Sequence, residues 1–217
     1  MTDKAVSALT SLTGANTATG DLLYIVDISE AAAADRSKKI TAEELQNYLK
    51  KFPATIGVGG ATPAASGAGV SFPATASASS DANTLDDYEE GDCSTSLIIS
   101  GTTTSGTGTY TAQQGTYVKV GGMVTVYGYV AWSAHTGTGN LTVSGLPFTS
   151  SSISFGTASI GYFSSISLTA SNVAILYLEP GAAYLRLRQY PVGGGVESAV
   201  PMDSAGEIMF SVTYRAA

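Results

Sequence analysis

The residues able to do chemistry in this chain are few, and most stand in one place. Six acids fall between Asp81 and Asp92, in the run "DANTLDDYEEGD", with no base among them. Elsewhere there is one histidine, His135, one cysteine, Cys93, and a run "AYLRLRQY" that spaces Tyr184, Arg186, Arg188 and Tyr190 two residues apart. An acidic run can hold a hard cation or supply general acid and base. A calcium loop started at Asp86, however, would put Tyr88 at its third position and Leu97 at its twelfth, where ligands are needed. One histidine and one cysteine cannot make a zinc site of the usual kind. A serine hydrolase needs a base beside its nucleophile. His135 lies in the loop-like "SAHTGTGN", and there is no Gly-x-Ser-x-Gly elbow. Glycosidases need two placed carboxylates, and the C-terminal part offers only Glu179, Glu197, Asp203 and Glu207. The expectation is a protein that is not an enzyme, with no catalytic residues, no metal and no cofactor.

The net charge of -7 is local. Residues 1 to 52 hold seven acids and six bases, residues 93 to 217 four of each, and the junction between them supplies the remainder. Nothing is basic enough to follow a phosphate backbone, so nucleic acid is not an expected partner. The start "MTDKAVSALTSLTG" has no apolar leader and no run reaches the ~18 apolar residues of a membrane span. Synthesis in a cytoplasm without membrane insertion is expected.

These groups must be positioned by three segments. Residues 1 to 52 contain a strand candidate, "DLLYIVD" (Asp21 to Asp27), and "KKITAEELQNYLKKF", which reads as a helix. There Thr41 and Glu44 can form a reciprocal cap, Leu45 and Leu49 stack one turn apart, and Lys50 and Lys51 suit the C-terminal end. Such a small α+β segment cannot bury a core by itself and should dock on its own copies or on a neighbour. Residues 53 to 93 are an arm of Ala, Gly, Ser, Thr and Pro ending in the acidic junction, where Ile56, Val58, Val70 and Phe72 are too sparse to repay ordering. It is either a flexible linker or an extended arm whose small residues pack around a common axis.

Residues 94 to 217 read as all-β. Eight alternating apolar runs, "SLIIS", "GTYVKV", "MVTVYGYVAW", "LTVSG", "ASIGYFSSISL", "VAILYL", "AYLRLRQY" and "EIMFSVTY", are separated by Gly, Ser and Thr clusters. This spacing predicts a β-sandwich, jelly-roll-like, making the whole chain mainly β. Period-two alternation puts Val124, Val126, Val130 and Trp132 on one face, with Tyr127 and Tyr129 opposite, and turns Ile208, Phe210, Val212 and Tyr214 inward together. In "AYLRLRQY", Leu185 and Leu187 face in and leave Tyr184, Arg186, Arg188 and Tyr190 as an outward stripe. Bases between aromatics suit anionic or sugar ligands, and the plainer reading is a solvated or subunit-contact face. The loops "SGTTTSGTG" and "SAHTGTGN", the latter with His135, are the other candidate contacts.

Two motifs carry a resemblance. The start "VSALTSLTGANTATGDLLYIVDIS" with "SKKITAEELQNYL", and above all "GVSFPATASASSDANTLDDYEEG" followed by "GTYVKVGGMVTVYGYV" and "GLPF", resemble bacteriophage tail-fibre type proteins. The central motif is Leu85, Asp86, Asp87, Tyr88, Glu89, Glu90 and Gly91. Members usually continue with Thr-Trp-Thr-Pro, where this chain has Asp92, Cys93, Ser94 and Thr95. The resemblance implies a homotrimeric virion protein that attaches to the host. Residues 1 to 52 would bind other tail or portal-proximal proteins, and the β-head would meet a cell-surface glycan or protein. A head fibre, a capsid decoration protein or a depolymerase tailspike are the alternatives. At the junction, Leu85 and Tyr88 are expected to anchor inward while the acids stay solvated or cap backbone N–H groups.

Overall fold

The computed structural model of the protein describes residues 22–26, 37–41, 55–75, 79–81 and 83–217. It falls into two compact units, Met1–Ser71 and Phe72–Ala217. In the first unit the expected strand is present: β1 (Leu22–Val26) pairs antiparallel with β2 (Ser37–Thr41). Lys38, Lys39 and Ile40, the first residues of the run read above as a helix, are instead extended. The helix proposed beyond Thr41 lies outside the described residues. In the arm, β3 (Ile56–Gly57) and β4 (Val70–Ser71) pair in parallel, and Thr55 Oγ1 donates to the Ala64 carbonyl at 2.8 Å. The small-residue run between them is closed into a loop.

The second unit is mainly β, with no helix among the described residues. All eight apolar runs are strands: β6 (Ile98–Gly101), β7 (Gly108–Val120), β8 (Met123–His135), β9 (Leu141–Ser144), β10 (Gly156–Ser164), β11 (Asn172–Leu178), β12 (Tyr184–Pro191) and β14 (Gly206–Arg215). Two more join them, β5 (Tyr88–Asp92) and the short β13 (Ser198–Ala199). The hydrogen-bonded order is β5-β7-β8-β14-β10-β11-β12-β9-β6, with β13 beside β12. One antiparallel sheet therefore curls over until its two halves face each other, which is how a sandwich core arises without a second sheet.

That core is the alternation made solid. Val124, Val126, Val130 and Trp132 from β8 meet Ile208, Phe210, Val212 and Tyr214 from β14, and Leu176, Leu178, Leu185 and Leu187 close it from β11 and β12. Each such side chain, removed from water, contributes roughly 1.5–3 kcal/mol. Trp132 is 3% exposed and donates its indole N–H to the Asp203 carbonyl at 3.1 Å, so it is a core residue rather than a sugar platform. Tyr214 donates to the Phe148 carbonyl at 2.9 Å, and burial pushes its hydroxyl up to about 12. The long β7–β8 hairpin turns at Gly121, whose φ of 54° suits glycine.

The sheet closes through side chains. β6 pairs only with β9 and would leave one edge of backbone open. Tyr110 sits at a register irregularity in β7, and its hydroxyl accepts from the Ile99 N–H at 2.9 Å. Gln113 donates to the Leu97 carbonyl at 2.8 Å, and His135 Nε2 donates to the Ile99 carbonyl at 2.9 Å. Buried backbone needs such partners, and the bulge is what aims Tyr110 at them.

Candidate functional site

The acidic junction is resolved by β5, which pairs with β7 from Tyr88 opposite Val120 to Asp92 opposite Thr116. The expectation that Leu85 and Tyr88 anchor inward is corrected: they are 56% and 39% exposed, while Asp87 is buried. Period-two pairing explains it, because the residue beside Tyr88 reaches Lys119 on the inner side. Asp87 and Lys119 form an ion pair, and the ammonium lies 5.5 Å from the centre of the Phe148 ring. Other acids do cap backbone: Asp86 accepts from Ser79 N–H at 2.6 Å, and Asp92 from Ser94 N–H at 2.8 Å. Glu90 accepts from the Tyr88 hydroxyl at 2.6 Å, and Glu89 from that of Tyr117 at 2.6 Å. The bond to Glu89, aided by burial, pushes Tyr117 up to about 12. Gly91 is needed for close approach, since a Cβ there would stand 2.8 Å from the Tyr117 ring.

The acids of the junction therefore diverge to separate partners. Among the described residues no three His, Cys, Asp or Glu side chains are grouped as metal ligands. Cys93 fills a buried slot against Gly115 and Leu97, where burial first and the Asp92 charge second push its thiol up. The motif fastens an edge strand, and its acids line that edge, a composition that discourages a further strand from adding.

A different cleft gathers polar groups. The register aligns Ser100 of β6, Thr142 of β9, Arg186 of β12 and Tyr177 of β11 across the sheet. Odd and even positions of β12 alternate as the sequence predicts, with Leu185 and Leu187 buried and Tyr184, Arg186 and Arg188 half-exposed outward. Above Arg186 opens a cleft of about 320 Å³ lined by Ser100, Gly101, Thr102, Thr142, Ser144, Tyr184 and Arg186. That is the size at which ligand sites begin, roughly 300–1,000 Å³. Arg186 is held in place by Glu179 at 2.8 Å and lies over the Tyr184 ring at 5.7 Å. Burial pulls its pKa down, but the Glu179 hydrogen bond and Tyr184 outweigh this and leave it above its ordinary value, a permanent cation. Its Nε is buried without a hydrogen-bond partner.

The stripe is thus divided. Tyr184 and Arg186 enter the cleft together with Ser100 to Thr102, the start of the first polar loop. Arg188 is outside its lining and grips Glu197 with two bonds, Nε at 3.2 Å and a terminal nitrogen at 3.0 Å, which ties the loop before β13 back onto β12. Tyr190 lies further along the strand, opposite Val173. His135 spends both ring nitrogens on backbone, receiving Gly137 N–H on Nδ1 at 2.9 Å. The second loop is zipped to the first, Thr104 to Thr138 through their hydroxyls at 2.7 Å and Thr102 Oγ1 to Asn140 N–H at 2.9 Å. Thr142 and Ser144 carry no signal in the sequence, and Glu179 stands out there only as one of four acids. The turn signal "EPG" held the clue to Glu179, because a tight β11–β12 hairpin sets it diagonally across from Arg186.

A larger cleft of about 480 Å³ opens where β10 and β11 splay after only two residue pairs, Gly156 with Leu178 and Thr157 with Tyr177. Its lining, Ile160 to Phe163, Leu168 and Asn172 to Ala174, carries no charge. It lacks the convergent polar groups that orient a ligand.

No protein-family model and no curated protein matches the chain. Among solved structures, the Dettilon tailspike protein (gp208) is similar over 60% of this chain and 24% of its own, at 15% identity and a TM-score of 0.49. The chain thus spans about a quarter of the length of that tailspike.

Proposed function

We propose that the chain is a structural, non-enzymatic bacteriophage virion protein of the tail-fibre type, held to the particle through residues 1 to 52 and presenting its β-unit to the host surface as a homotrimer. The motif run from the arm through the junction to "GLPF" supports the class. The observation that carries the binding role is the convergence of Tyr184 and Arg186 with a row of hydroxyls in one open cleft. Recognition fits this cleft better than bond cleavage, because Glu179, the acid beside it, is engaged by Arg186 and a glycosidase requires two carboxylates at a set separation. Weak single sites multiplied over several copies would give firm attachment.

The test is binding of the labelled, purified chain to a panel of bacterial cells. Arg186→Ala is expected to lower binding about tenfold or more, as loss of a cleft arginine does at recognition surfaces. Arg188→Ala, whose guanidinium serves the Glu197 loop, is expected to leave it nearly unchanged. Equal binding by wild type and Arg186→Ala would remove the cleft from the account.

A further inference from the structure

We propose that the Arg186 cleft takes a neutral, hydroxyl-bearing sugar, and that Glu179 is the residue that sets this choice against acidic sugars. The inference rests on the attachment reading above. An arginine in a cleft ordinarily draws carboxylate or phosphate through its fork of N–H donors. Here one terminal nitrogen of the fork is already paired with the carboxylate of Glu179, which stands beside the cleft, at 2.8 Å, and every residue of the lining except Arg186 is uncharged. The couple is neutral as a whole. An acidic sugar reaching Arg186 would bring its carboxylate against that of Glu179, a like-charge contact that works against binding.

A sugar hydroxyl meets no such opposition. Each hydroxyl both donates and accepts, and the couple offers guanidinium N–H donors and carboxylate acceptors side by side. The rest of the lining adds the Ser100, Ser144 and Tyr184 hydroxyls, whereas Thr142 donates its hydroxyl proton to the Ser100 carbonyl at 2.9 Å and Thr102 Oγ1 accepts from Asn140 N–H at 2.9 Å. The arginine is held with its Nε buried and without a partner, so its terminal nitrogens are the donors a ligand can reach. Glu179 and the Tyr184 ring keep it there. Glu179 is thus a positioning and specificity residue.

The full chain is tested on an array of neutral hexose and N-acetylhexosamine oligosaccharides beside uronic-acid and sialic-acid ones. Wild type is expected to bind neutral probes at least tenfold better than acidic ones. Glu179→Gln, which keeps the shape and removes the charge, is expected to shift that ratio tenfold or more toward the acidic probes. Arg186→Ala is expected to lose both, and Glu197→Gln, the same charge change on the acid that pairs with Arg188, to leave the ratio as it was. Preference of wild type for acidic probes, a ratio unmoved by Glu179→Gln, or no array binding would each overturn the proposal. If cells are still bound when no sugar is, the ligand class alone is wrong; if cell binding is absent too, the attachment reading falls with it.

Discussion

Asp87 is the one acid of the junction that leaves solvent, and its worth lies in Lys119. Removing one partner of such a pair strands the other charge, a loss of about 3 kcal/mol, whereas replacing both with apolar groups restores much of it. Asp87→Asn should therefore lower the urea midpoint clearly, and Asp87→Leu with Lys119→Met should recover most of the loss. An Asp87→Asn protein as stable as wild type would show that the junction is not fastened this way. The sequence made the cluster conspicuous but not its organisation. Composition marks Asp87 as equal to Asp86, and only the pairing with β7 tells which of them faces Lys119.

At the scale of elements, the unusual feature is a curled sheet whose last gap is spanned by side chains. Tyr110→Phe would leave the Ile99 N–H without its partner and remove a hydroxyl from the Ile99 carbonyl, costing about 1–2 kcal/mol. Hydrogen exchange should report it, with the Ile99 amide speeding up far more than the amides of β8 and β14. Uniform exchange changes across the sheet would contradict a local seam. The strands themselves were legible, because the apolar runs stand between Gly, Ser and Thr clusters and the longer ones, such as β8, β12 and β14, alternate with period two and pack one face. The partners were not: β13 is two residues long, and the acids of β5 do not read as a strand. The start of β7 was hidden in the same manner, since "GTYTAQQ" carries too few apolar residues to separate it from the preceding turn. The Arg186 cleft was half legible. Phase placed Tyr184 and Arg186 on one outward face, but Ser100 and Thr142 reach them only through the β6-β9-β12 order, which no local pattern encodes.

For the whole molecule, the proposed attachment joins a dock, an arm and a recognition unit. The central claim is one of direction, with residues 1 to 52 at the particle and the β-unit outermost, and it is tested most directly by imaging virions that contain this chain with a label at Ala217. The account predicts labels at the distal ends of tail-associated fibres. Labels lying against the particle surface, or scattered over the capsid, would contradict it.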